Sequence, residues 1–501
     1  MTASSQLRAA PTEPCHPWPR HVLTSDAWRA FAAALAQEPT LALLAMWADT
    51  IDIHALFHDE TGGQFIPASV PVLAGRYPAL SLHRPAAAWF ERMIHDLWGH
   101  VPDNTPDPRP WLDHGNWPAT APLSPRPIPN AAAPEPPAFL EAEGEDLSQI
   151  PVGPVHAGII EPGHFRFSVS GETVARLEIR LGYAHKGTLH LMRGKSPRAA
   201  ARFAARLSGD STVAHSIAFA RTAEAASGVA APPRAAALRG LMGEIERIAN
   251  HLGDCGAIAG DASFAYLPAR FFLHREAVLS ASAAAFGHRL MMDAVIPGGV
   301  AADIAPGSDA SILQALFEAA AELPDLIGIY DNHASLADRM IGTGIVPPAL
   351  AAQLAAGGVI GRASSRGGDL RVEPGYPPFD TLRPDTARRT EGDVDARIRV
   401  RFAELTESIR LVRVLLATLP EGELSVPLPM ASGEAIGWAE GFRGDIWHWM
   451  RLDGGLIASA FMRDPSWLHW PLLEQAIGGN IVADFPLINK SFNASYSGVD
   501  L

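Results

Sequence analysis

The chain has 501 residues, 48% of them apolar and 19% charged, with a formal net charge of −14. That length excludes a single ordinary domain and implies two or three folding units with ample core. The acidic balance, without a basic stripe, excludes a nucleic-acid surface, and no apolar run is long enough to span a bilayer.

The Pro-rich stretch Met1 to Arg20 has no apolar signal core, so a cytosolic chain is expected, with any membrane association made through partners. Cys15 and Cys255, far apart, fit a reducing compartment and hold neither a disulfide framework nor an iron–sulfur cluster. Asp26 to Leu35 reads as a short helix with Trp28, Phe31 and Leu35 on one face. Thr50 to His58 alternates like a strand and runs into the Thr61-Gly-Gly63 turn. His54 and His58 share a face of that strand. Without further ligands at familiar spacing they read as structural, as do His95, His100 and His114. A helical period returns from Ala86 to Leu97.

Eight prolines from Pro118 to Pro137 preclude a helix or a central strand and predict an extended, semi-rigid linker over residues 118–147. It separates a front module, residues 1–117, from a larger unit, residues 148–501. The larger unit opens with a hairpin, Phe165 to Val169 and Val174 to Ile179 about Gly171-Glu172, on which His156 and His164 read as structural. Gly182-Tyr-Ala-His-Lys-Gly187 follows as a glycine-bounded turn. Pro232-Pro233 opens the most regular helix, with the stripe Leu238, Leu241, Ile245, Ile248, Leu252 and Gly253 as its stop. A second long helix is expected from Phe271 to Met292, ended by Pro297-Gly-Gly299, and a third from Val394 to about Leu419. Gly357 to Arg371 is glycine-rich but lacks the Lys-Ser/Thr of a phosphate loop, so it reads as a connection between helices. Cys255 reads as a small buried residue. The expected fold class is α+β: a small α/β module, a linker, then a hairpin-fronted helical bundle.

Two distant stretches carry the chemistry: Arg206-Leu-Ser-Gly-Asp-Ser-Thr-Val-Ala-His-Ser216 and Ser491-Phe-Asn-Ala-Ser-Tyr-Ser-Gly-Val-Asp-Leu501. Together with Gly182 to Gly187 and Glu244-x-Glu-Arg-x-x-Asn-His251, they resemble the large subunit of membrane-bound nickel–iron hydrogenases of the hydrogenase-4 and formate-hydrogenlyase type. The homologous quinone-site subunit of respiratory complex I shares these features. Phe90 to Gly99, through Glu91, Arg92, Asp96 and Gly99, resembles the small peripheral-arm subunit of complex I, where the segment is a structural clamp. Met93 replaces one acid of that motif.

The resemblance implies two Cys-x-x-Cys pairs ligating nickel and iron. Their places here are Ser208 and Ser211, then Ser495 and Gly498. A neutral serine hydroxyl is a hard donor and cannot replace a bridging thiolate, so no metal is expected on this chain. No tail of the kind that relatives remove after nickel insertion follows Leu501, which implies a chain outside that maturation. The tyrosine of the quinone branch falls on Gly209 and its histidine near Ile160 to Glu161, leaving quinone binding open.

Glu161, Asp210, His215 and Arg443, the last in Glu440-Gly-Phe-Arg-Gly444, are the candidate cavity lining and proton relay. The alternative is that they only pair with one another. Glu161, followed by Pro162, is expected to sit partly desolvated beside Asp210 with a raised pKa. Asp484 is a further candidate. The implied role is a peripheral core subunit on the cytoplasmic face of the inner membrane, in an NADH:quinone oxidoreductase or hydrogenase-4-like complex. It would couple electron or proton transfer between a small iron–sulfur subunit, which holds the cluster, and antiporter-like membrane subunits. A redox subunit with a modified quinone site and a non-catalytic scaffold are the alternatives.

Overall fold

Leu41–Ala48 is apolar at nearly every position, so as a strand it must be covered on both faces, and the structure covers it. The computed structural model describes residues 2–130, 138–144, 146–156 and 160–501. Leu41–Ala48 is one edge of a five-stranded sheet in the order Thr12–Glu13, Arg20–Val22, Gln64–Pro71, Asp52–Asp59, Leu41–Ala48. On one face Phe57 meets Phe31 of the helix Ser25–Leu35 edge-on. On the other, Trp47 stacks on Phe461 and tilts against Trp449, both from the far end of the chain. The expected short helix and strand are both present. Ala88–Trp98 forms the expected second helix and stops at Gly99 in the left-handed conformation.

Those C-terminal partners lie on an antiparallel meander, Gly433–Glu440, Asp445–Asp453 and Leu456–Arg463, which sequence periodicity did not reveal. The reason is physical: strands buried on both faces lose the polar alternation that marks a half-exposed sheet. Main-chain bonds tie the front module to the meander, with His16 N–H donating to Glu434 O at 2.9 Å and Ile436 N–H to His16 O at 2.7 Å. One hydrophobic core runs through both.

The expected hairpin, His164–Ser170 with Thr173–Arg180, carries a third strand, Ser148–Val152. Behind it stand the helices Thr212–Ser227, Pro233–Asp261, Tyr266–Phe286, Ser308–Asp331 and Val394–Ala417. The fold is α+β. Pro232-Pro233 starts its helix as expected, but Gly253 does not end it. A Cβ on Gly253 would lie 3.0 Å from Arg275 Cδ, so this glycine lets two helices approach closely. The second helix ends at Gly287, and Pro297-Gly-Gly299 instead belongs to a short ladder between Val295–Ile296 and Gly299–Val300. The third starts where Asp393 accepts the Ala396 N–H at 2.8 Å, a side-chain cap. The glycine-rich stretch holds a short helix, Gly358–Ala363, rather than being loop throughout. Among the described residues no helix is long and apolar enough to cross a membrane.

Of the linker, Ala119–Thr120 pairs with Ile128–Pro129, and residues 131–137 and 145 lie outside the described residues. Limited proteolysis is expected to cut first within 118–147, leaving a C-terminal fragment that begins before Val152. Because the core is shared, the two pieces should elute together until denatured. First cuts between Leu238 and Leu252 would contradict the buried placement of that helix.

Candidate functional site

The glycine-bounded turn is the knot that brings the two distant stretches together. Asp500 accepts the N–H groups of Gly182 and Ala184, each at 2.7 Å, and Leu501 O accepts Thr188 N–H at 2.8 Å. From the same turn, Lys186 Nζ donates to the carbonyls of Arg206 at 2.8 Å and Leu207 at 3.1 Å. The front module supports the turn from outside. Asp96 accepts the N–H groups of Trp111, Leu112 and Asp113, and His114 Nε2 bonds Leu181 O. Glu91 holds Leu80 and Ser81 in the same way. Glu91 and Asp96 of the Phe90 to Gly99 motif thus each fix a neighbouring stretch of main chain.

The four positions of the thiolate pattern converge. Ser208 Oγ lies 2.8 Å from Ser495 Oγ, which accepts Gly498 N–H at 2.9 Å. Arg443, on the tight loop after Gly433–Glu440, donates from Nη1 to Ser211 Oγ at 2.9 Å and to Asp210 Oδ1 at 2.7 Å. Its Nη2 pairs with the other Asp210 oxygen and its Nε with Asn493 O, a forked geometry that only arginine offers. Burial works against the charged form of Asp210, but Arg443 and the Ser208 hydroxyl more than offset it and hold its carboxyl below the usual range.

A nickel–iron centre does not fit this set of groups. The donors are hydroxyls engaged with each other and with a guanidinium, whose charge repels a cation. The fourth position has no room either, since a Cβ on Gly498 would lie 2.8 Å from Asp464 Cγ and 2.9 Å from Ser495 Oγ.

The remaining candidates divide. His215 is fully buried and turns away from Asp210 toward Asp464 and His448. Glu161 is exposed and not desolvated beside Asp210: its Oε2 accepts Ser497 N–H at 3.1 Å, so the hairpin loop reaches the closing stretch instead. Asp484 pairs with Arg339 at 3.2 Å, outside the cradle. His156 and His164 bond the carbonyls of Gly163 and Gly153. His100 bonds Asp49 O, while His95 lies 3.5 Å from Asp96. His58 stacks on Phe65, and His54 bonds Asp49 between Trp47 and Trp449. Asp49, Asp52 and His54 alone among the described residues form a three-member set close enough for a metal, with ligand atoms within 4.8 Å. Arg451 on Asp49 and Arg20 3.7 Å from Asp52 already balance that charge. Cys255 is buried and free.

Sequence reasoning missed a buried charge cluster beneath the cradle. Arg362 donates to Glu404 at 2.7 Å and Glu440 at 3.0 Å, and Arg371 to Glu244 at 2.8 Å and Asp369 at 2.7 Å. Arg247 reaches Glu404 at 3.3 Å, and His251 reaches it at 2.7 Å. Arg247 also holds the carbonyls of Glu440 and Gly441 at 2.8 and 3.1 Å, fixing the loop that presents Arg443. Burial first, then Asp369, pushes the Glu440 carboxyl up to about 7. The signal available was the run Glu244 to His251 on a helix whose other face was already apolar.

A family profile described as respiratory-chain NADH dehydrogenase, 49 Kd subunit, matches residues 265–430. Formate hydrogenlyase subunit 5 of Escherichia coli (strain K12) is 29% identical over 437 residues, covering 85% of this chain and 77% of its own. Hydrogenase-4 component G of the same organism is 29% identical over 448 residues, covering 87% and 78%. An NADH-quinone oxidoreductase subunit of Acidiphilium cryptum (strain JF-5) is 30% identical over 282 residues, covering 56% of this chain and 69% of its own.

Proposed function

This chain belongs to the family that unites the 49 kDa subunit of respiratory-chain NADH dehydrogenase with the large subunits of membrane-bound hydrogenases, and from that premise we propose that it is a peripheral core subunit of a membrane-bound, hydrogenase-related oxidoreductase complex, without a nickel–iron centre of its own. The observation that carries the reading is the convergence of Ser208, Ser211, Ser495 and Gly498 on one hydrogen-bonded cradle, in which Arg443 donates to Ser211 and Ser208 bonds Ser495. The cradle is kept and its donors are changed. A small iron–sulfur subunit would dock over it and hold the cluster, with antiporter-like membrane subunits beneath, on the cytoplasmic face of the membrane. Exposed Ile160, Tyr183 and Leu191, on the segments around the cradle, suit such a contact. What this chain contributes is placement and ionisable groups, so its coupling role would run through protons.

One observation favours a second reading, a redox subunit that takes a quinone. A mostly apolar cavity of about 330 Å³ lies against Lys186 and is walled by Leu97, Trp117, Leu123, Leu189 and Leu191. Purification of the native complex through a tag on this chain is expected to recover an iron–sulfur subunit and several membrane subunits at fixed stoichiometry. Recovery of the chain alone from gently solubilised membranes overturns the first reading. Quinone extracted at one per chain from the same preparation favours the second.

A further inference from the structure

Behind the cradle, two histidines and an aspartate form a hydrogen-bonded file that neither the Arg443 ion pair nor the Arg362 cluster uses. Asp464, directly after the strand Leu456–Arg463, is fully buried. Its Oδ2 lies 2.9 Å from His215 Nε2, and its Oδ1 accepts Ser466 N–H at 2.8 Å. His215 Nδ1 lies 3.0 Å from Nε2 of His448, a buried residue on Asp445–Asp453. We propose that Asp464, His215 and His448 are a proton relay in which a proton accepted at His448 Nδ1 comes to rest as positive charge on His215. The proposal deepens, and rests on, the proton-coupling part of the function proposed above.

Hydrogen-bond chemistry assigns the states. An ionised carboxylate only accepts, so His215 Nε2 carries a hydrogen. One hydrogen lies between His215 Nδ1 and His448 Nε2, and with both rings neutral it belongs to His448. His448 Nδ1 is then the free lone pair, buried and without a hydrogen-bond partner among the described residues. A proton arriving there from hydronium forms N–H at His448 Nδ1. The N–H at His448 Nε2 breaks and one forms at His215 Nδ1. His448 ends neutral in its other tautomer, and His215 ends as an imidazolium bonded on both sides.

The charge settles on His215 because Asp464 faces it, while among the described residues no anion bonds His448. Burial first, then the neighbouring His215, pushes the His448 ring well below the usual imidazole range, and Phe219 lies edge-on against it. Burial opposes the charged form of Asp464, but the bond from His215 and the field of Arg443 leave its carboxyl well below the carboxylate range. The other charged groups about the Thr212–Ser227 helix face elsewhere: on the helix itself, Glu224 pairs with Arg239 and Arg221 lies over the Tyr376 and Trp438 rings. Glu246, from Pro233–Asp261, accepts Val213 and Ala214 N–H, and Asp210 is paired with Arg443. Across the sheet, Glu440 is paired with Arg362. Asp464 is the member nearest the cradle: a Cβ placed on Gly498 would lie 2.8 Å from its Cγ and 2.9 Å from Ser495 Oγ. Protonation of His215 would therefore change the charge felt at the cradle itself.

Histidine ¹⁵N spectra of the full-length chain across neutral to acid pH test the relay without any partner. The expected result is a single linked transition, in which His215 gains its second N–H as His448 changes tautomer. His448→Gln retains an amide donor toward His215 Nδ1 and should stay folded, and in it the linked transition should vanish. Independent titration of the two rings, an imidazolium on His448, or no transition on either ring overturns the relay. In the native complex, His448→Gln is expected to leave assembly intact, lower coupled turnover on the order of a hundredfold and displace its pH profile. Unchanged rate and profile overturn a role in coupling. Failure to recover any complex bears on the subunit assignment alone, because the spectra use only this chain.

Discussion

Arg362→Met is expected to destabilise the chain by about 3–5 kcal/mol, the usual effect of removing one partner from a buried ion pair. Arg362 stands between Glu404 and Glu440 and lies 3.6 Å from Asp369, and all four are buried. Methionine fills a similar volume, so cavity formation contributes little and the loss reports charge. Without Arg362, Arg247 and Arg371 face Glu244, Glu404, Glu440 and Asp369. Glu440 provides the relief. Its carboxyl already sits at about 7, so its contribution to stability is present below the ordinary carboxylate range and is lost as pH rises through that value. Glu404 and Asp369 behave oppositely: burial raises them, but the arginines, Arg362 first for Glu404 and Arg371 first for Asp369, hold both below the usual range. Both signs make the deficit of Arg362→Met grow from mildly acidic to mildly alkaline pH. Adding Glu440→Gln to Arg362→Met should restore part of the loss and make the two substitutions non-additive. Urea titrations of the four proteins at several pH values measure this. A small deficit that stays flat with pH would show that the cluster is solvated.

Nickel analysis of the chain purified from its own host is expected to give far less than one nickel per chain. One nickel per chain retained through chelator treatment would contradict the reading of the cradle. Cysteines at Ser208 and Ser211 alone should not give hydrogen activity, because the second pair stays empty. Cysteines at all four positions should fail as well, for a steric reason. The Cβ of a residue at 498 meets Asp464 Cγ at 2.8 Å and Asp464 Cβ at 3.0 Å, and Asp464 is held by His215 and Ser466. Gly498→Ala is therefore expected to cost about 1–3 kcal/mol, as overpacking of a core does. Asp464→Ala, which removes the obstructing carboxylate, should relieve part of that cost when combined with it. An alanine at 498 tolerated without loss would mean that the closing stretch can shift and that the cradle is less rigid than the bonds of Asp500 imply.

The sequence by itself determined whatever depends on local chemistry. Pro232-Pro233 and Asp393 start helices because a fixed backbone angle and a side-chain acceptor act within one turn. Gly171-Glu172 turns the hairpin, and the replacement of thiols at Ser208, Ser211, Ser495 and Gly498 is a statement about atoms that no fold can reverse. The two stretches around those positions were enough to identify the family. Only the tertiary structure decided how charge is balanced and where elements end. Gly253 looks like a helix stop until Arg275 of the next helix is seen against it. Glu161 looks desolvated until its own side chain is found exposed, accepting the Ser497 N–H. Arg443 finds Asp210 across 233 positions and His215 finds Asp464 across 249. Such pairings leave no local periodicity, because burial makes a charged residue need a partner without prescribing where in the chain that partner lies.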